Sequence, residues 1–200
     1  MNYLAHLFLA GNESEVIFGN LLEDFIHGRV DHPRNNHLNQ RIKTGIRQHR
    51  LIDTYTDQHP TVKKVKGIFH QDFGRYDGIV VDVIFDHFLI KNWKTFTSEE
   101  FQPFRKRIHE SLAKFEHLMP NTLLKLVHSM REHDWLANYE YDYGLERAFQ
   151  SLNRKVTITR DLKLAIPLMH EHFEEINHHF IPFFHSLKEE CTTFLKHEYQ

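Results

Sequence analysis

Two hundred residues with a formal net charge of −2 make one domain by default, long enough to bury roughly 70% of its unfolded surface. That charge carries no nucleic-acid signature, and the single cysteine, Cys191, excludes an internal disulfide and a thiolate zinc cage. Histidine is the outlier at 18 residues, an ample supply of imidazole.

Met1 to Ala10 is apolar but too short to span a membrane, and it lacks the basic start of a signal peptide. The spacing predicts a buried helix over 2–10. Ser14 caps a second helix over 15–28, which stops near Gly28. After a loop over 31–36, a long helix covers 37–57 and ends at Asp57-Gln58-His59-Pro60. A short helix follows over 61–71. The run from Gly78 to Ile84 is rich in β-branched residues and reads locally as a strand. Its pattern continues through Asp86, His87, Leu89 and Trp93, longer than an ordinary strand, so a helix over 77–93 is expected. Further helices are predicted over 98–118, 121–139 and 142–153. A last long pattern starts at Thr159 and is broken or kinked at Pro167 and Pro182. The expected fold is an all-α, single-domain helical bundle. Residues 1–95 would carry the active site and 96–200 a packing sub-bundle. No membrane contact is expected, and a reducing cytoplasm suits the lone cysteine.

Three segments hold chemistry that folding alone explains poorly. His49, Asp53 and Asp57 lie four apart, in one row of a helix. Such spacing points imidazole and carboxylate donors at one spot, although a salt-bridge stripe with Arg47 and Arg50 would look the same. Asn20 and Asp24 repeat the spacing, with Asp24 among Leu21, Leu22, Phe25 and Ile26. Asp82, Asp86 and His87 sit in a run that is otherwise apolar all round, so they must be paired or ligated. An ion pair with Arg75 or Lys91 is the alternative. His6 lies inside the apolar first helix, with Asn2 one turn before it. Lys63, Lys64 and Lys66 form a basic cluster that is either a solvated face or a landing place for an acidic partner.

Met1-Asn2-Tyr3-Leu4-Ala5-His6-Leu7, Gly19 to Phe25, Gly45 to Asp53, Thr56 to Pro60 and Asp82 to Leu89 resemble, in the same order, the bacterial acyl carrier protein phosphodiesterase family. The second half matches weakly, around Trp135 to Tyr139. The resemblance implies an HD-phosphohydrolase-like helical fold and a divalent cation, Mn2+ or Mg2+, with Fe2+ or Zn2+ as alternatives. It also implies removal of the 4'-phosphopantetheine arm from holo acyl carrier protein. Another phosphoester substrate, or a non-catalytic module that binds carrier protein, is the rival reading. The expected metal ligands are Asp24, His49, Asp86 and His87, with His6 next. Asp53 or Asp82 would be a ligand, a supporting group or the general base. Arg47 and Arg50 would contact phosphate, and Lys63, Lys64 and Lys66 would receive the acidic carrier protein. Leu51 stands where the family pattern has a second arginine after Arg50.

Overall fold

In the computed structural model, which describes residues 1–157 and 159–199, every regular element among those residues is helical. The chain runs through α1 (Tyr3–Leu9), α2 (Ser14–Leu22), α3 (Gln40–Gln58), α4 (Pro60–Phe73), α5 (Asp77–Lys91) and α6 (Trp93–Phe96). It continues with α7 (Phe101–Ala113), α8 (Asn121–Glu132), α9 (Trp135–Asn138), α10 (Asp142–Asn153), α11 (Ala165–Glu171) and α12 (Phe173–Glu198). The β-branched run is helical because α5 is the central rod of the bundle. Its residues from Val83 to Ile90 are all buried, and Phe85 and Phe88 pack their rings on Phe180 of α12. No helix among the described residues is long and apolar enough to cross a membrane.

Two glycines set the crossing that matters for the site. A Cβ on Gly19 would lie 2.0 Å from the Ile42 carbonyl oxygen, and one on Gly45 would lie 2.2 Å from that of Val16. Only hydrogen fits there, so α2 and α3 touch backbone to backbone. This contact brings the C-terminal half of α2 within reach of His49.

Several predicted boundaries shift for physical reasons. The helix expected over 15–28 stops at Leu22, and Glu23–Phe25 tightens into a 3-10 turn. Ser14 is the first helical residue rather than the cap, and its hydroxyl bonds Ser111 instead. The segment over 98–118 becomes α7 and a separate 3-10 turn, Glu116–Leu118. The segment over 121–139 splits at Asp134, whose φ of 48° is left-handed. The last pattern does not start at Thr159. Asp161 caps a 3-10 turn, Leu162–Leu164, through the Lys163 N–H, and the helix begins at Ala165. Pro167 falls in the first turn of α11, where an N–H has no helical partner to lose. Pro182 is carried inside α12.

Candidate metal centre

Two helices meet at one carboxylate. Helix α3 presents His49 and Asp53 one turn apart, and α1 brings His6 beside them. His6 Nε2 lies 3.2 Å from Asp53 Oδ1, and His49 Nε2 lies 3.2 Å from Asp53 Oδ2. The two imidazoles stack with centroids 3.9 Å apart and planes 20° from parallel. Both histidines are buried, which leaves little room for solvent to shield a charge.

The remaining ring nitrogens fix the tautomers. His49 Nδ1 donates to the Asn20 carbonyl at 2.8 Å, so in the neutral ring the proton sits on Nδ1 and Nε2 keeps its lone pair. His6 Nδ1 lies 3.1 Å from Asn20 Oδ1. The Asn20 amide is oriented in turn, because its Nδ2 donates to Gln48 Oε1 at 3.1 Å. Gln48 Nε2 donates to the Leu9 carbonyl at 2.8 Å. This relay makes Asn20 Oδ1 an acceptor and puts the His6 proton on Nδ1 as well. In the neutral rings both Nε2 lone pairs would face this carboxylate, an arrangement that repels unless a positive charge, a proton on His49 or a metal cation, lies among them. Support of a ligand's second nitrogen by an amide or carbonyl is what metal-binding histidines require.

A second group of converging donors, Glu23, Asp24 and His49, shares its imidazole with the first. His49 Nε2 is 3.6 Å from Asp24 Oδ1 and 3.8 Å from Glu23 Oε2. Asp24 and His49 border a cavity of about 310 Å³ that also receives His6, Asp53, Asp57 and Asp82. Asp82 accepts from the Met1 amino group at 2.9 Å, and that same amine is 3.9 Å from Asp53. The electrostatics follow from burial and neighbours. Burial, with His49 alongside, lowers His6 to about 4, so its imidazole is neutral at physiological pH. Burial also penalises a charged His49, but Asp53, Asp24 and Glu23 outweigh it and raise its pKa. Asp53 is pushed up by burial, yet the two imidazoles prevail and hold it well below the usual carboxylate range. Burial raises Asp24 above its ordinary value, against the pull of His49. Imidazole nitrogen and carboxylate oxygen donors converging on one point fit a divalent cation, and a set without thiolate is on the hard side.

The family model for acyl carrier protein phosphodiesterase matches residues 1–187. This chain belongs to the acyl carrier protein phosphodiesterase family. A protein named acyl carrier protein phosphodiesterase from Salmonella agona is 30% identical over 187 residues, covering 91% of this chain and 94% of that protein. One of the same name from Photorhabdus laumondii is 33% identical over 142 residues, 70% of this chain and 69% of its own length. A third, from Yersinia enterocolitica, is 43% identical over 93 residues, a stretch that spans less than half of either chain, 46%. No solved structure gives a significant match.

Within this family member the structure brings His6, Asp24, His49, Asp53 and Asp82 together and leaves Asp86 and His87 out. Asp86 is fully buried, and both its oxygens are spent on α1, accepting from Leu4 N–H at 2.8 Å and Ala5 N–H at 3.0 Å. It caps the first helix from across the core, so the expected ligand role is corrected to a structural one. His87 donates Nδ1 to the Tyr139 carbonyl at 2.8 Å and packs edge-on to Phe173. One residue along α5 rotates the side chain by about 100°, and that turns His87 away from the face that meets α1. Arg47 is committed to Asp31 at 2.9 Å and Glu198 at 3.4 Å. Arg50 holds Glu23 at 2.8 Å and the Gly28 carbonyl at 2.8 Å, so it buttresses the 3-10 turn. Leu51, in place of the second arginine, packs against the core. Lys66 bonds Asp57 at 2.9 Å, while Lys63 and Lys64 are exposed on α4.

Sequence reasoning did not assign site roles to Glu23, Asn20, Gln48 or the Met1 amine. Glu23 carries no signal of its own in the sequence, and the 3-10 turn is what lets consecutive acids approach one imidazole. Asn20 and Gln48 were detectable as polar residues at buried helix positions, the signal that had exposed Asp24 and Asp86.

Proposed function

We propose that this protein hydrolyses the phosphodiester between a carrier-protein serine and 4'-phosphopantetheine, releasing apo acyl carrier protein. The observation that carries the reading is the meeting of His6, His49 and Asp53 in a member of a family named for this reaction. Residues 1–95 supply these groups. His6, His49 and Asp53 would hold one divalent cation, with Asp24 and Glu23 beside it. Mixed imidazole and carboxylate donors suit Mn2+ ahead of Mg2+, with Fe2+ and Zn2+ also compatible. When bound, the cation would neutralise phosphoryl charge and acidify water.

The protein's own groups do the rest. Asn20 and the backbone carbonyl it carries keep both imidazoles in the ligating tautomer. Asp24, whose pKa burial raises, accepts the proton of the attacking water and returns it to the departing serine oxygen. The new bond joins water oxygen to phosphorus, and the bond to the serine oxygen breaks. The products are a free serine and 4'-phosphopantetheine. Asp82, tied to the Met1 amine, closes one wall of the cavity. Lys63 and Lys64 offer exposed positive charge to an acidic carrier protein. We place the reaction in the cytoplasm, in keeping with a single buried free cysteine.

The test is incubation of the protein with holo acyl carrier protein and Mn2+, read by mass for loss of the arm. Turnover that disappears in Asp53→Ala and Asp24→Ala supports the assignment. An intact arm after incubation with wild-type protein overturns it.

A further inference from the structure

A second cavity of about 310 Å³ adjoins the metal centre, and Asn2 and Tyr3 form part of both walls. The second half of the chain builds the rest of it. Leu126, Trp135 and Leu152 supply apolar wall, and Ser129 and Asn138 supply hydrogen-bonding groups between them. Arg147 and Lys155 stand at its edge, and neither has a carboxylate partner within salt-bridge distance among the described residues. Lys155 is close enough to Asp24 for its charge to act on that carboxylate. The volume is that of a small-ligand site, and its wall mixes apolar surface with several polar and charged side chains.

We propose that this groove seats the pantetheine arm and that Arg147 and Lys155 hold its phosphate. The inference rests on the proposed reaction, in which the phosphate stays on the arm and the serine departs. Pantetheine is a linear chain in which apolar segments alternate with two amides, and it matches an apolar trough with side-chain amide and hydroxyl partners. Its phosphate end must reach the metal centre while the chain runs away from it. A groove that shares Asn2 and Tyr3 with that centre meets this need. Two cations without carboxylate partners suit the dianionic phosphomonoester left after cleavage. The second half of the chain would then select the substrate as well as pack the bundle.

Free 4'-phosphopantetheine is the probe, and Trp135 is the reporter. Trp135 lines the groove, whereas Trp93, the other tryptophan, is buried elsewhere against Phe101 and Phe104. We expect a saturable change in fluorescence, with affinity at least tenfold above that for inorganic phosphate. Ser151→Phe obstructs the groove from an exposed helical position, and Arg147→Ala removes one cation, also from an exposed position. Each should weaken binding at least tenfold with the helical circular dichroism unchanged. Absence of binding to wild type, equal affinity for inorganic phosphate, or unaltered affinity in both variants would each overturn the assignment. The same two variants are then assayed on holo carrier protein. If wild type cleaves it and the variants match wild type, the groove fails while the reaction stands. If wild type binds the probe but leaves holo carrier protein intact, the reaction fails while the groove stands.

Discussion

His6 and His49 stack face to face with their centroids 3.9 Å apart, and both turn Nε2 toward the carboxylate of Asp53 at 3.2 Å. Two imidazoles this close cannot both be protonated without strong repulsion. One shared cation satisfies all three groups at once.

Metal uptake is therefore expected to depend on each of them. Protein stripped by chelator should bind Mn2+ by equilibrium dialysis, and His49→Ala, which removes the donor common to both groups, should abolish that binding. His6→Ala and Asp53→Ala should each weaken it. Unchanged Mn2+ affinity in all three variants would remove the metal from this site.

Asn20 and Gln48 are not among the converging donors, yet they set the ring orientation. Asn20→Ala should lower metal affinity on the order of 10–100-fold, the usual cost of losing such support. Gln48→Ala should have a smaller effect in the same direction, because Asn20 could then turn. The check is metal titration with thermal unfolding run in parallel, so that lost affinity is separated from lost fold.

The contact of α2 with α3 makes Gly45 intolerant of any side chain. Gly45→Ala puts a methyl against the Val16 carbonyl and should cost about 1–3 kcal/mol. For a chain of this size that lowers Tm by roughly 2–12 °C. An unshifted melting curve would show that the helices part more easily than their geometry indicates.

Asp86 should impose a pH dependence on stability. Burial pushes its carboxyl up to about 7, against the Leu4 and Ala5 N–H groups that favour its charged form. The folded state thus binds this proton more tightly than the unfolded chain. Its stabilising contribution is complete below the ordinary value of 3.8 and is lost as pH rises through about 7. Denaturation midpoints should fall across that window in wild type and fall less in Asp86→Asn. Asp86→Ala strands two buried N–H groups and should cost about 1–3 kcal/mol for each.

Much of this site could be read from residue order. The apolar run of α5 signals burial, and buried acids and histidines signal partners. The row of His49 and Asp53 is visible as helical spacing. Which partner a buried acid takes is not visible. Asp86 looks in sequence like Asp24, but one meets the amide groups at the start of another helix and the other meets an imidazole. That choice is made by tertiary packing. The end of α2 is hidden for a similar reason. Residues 15–28 have helical spacing throughout, and the turn at Glu23 is held from outside by Arg50. Residues of the second half carry no recognisable motif because their groove is made of ordinary apolar and polar side chains brought together by the fold.

The amide of Gln48 can point only one way while it is anchored to Leu9, and that orientation passes through Asn20 to the proton on His6. Positions 6, 20 and 48 are therefore one inherited unit. A lineage that exchanges one of the three gains by adjusting the others, and substitutions there should travel together through descent even though Gln48 lies fully buried behind the site.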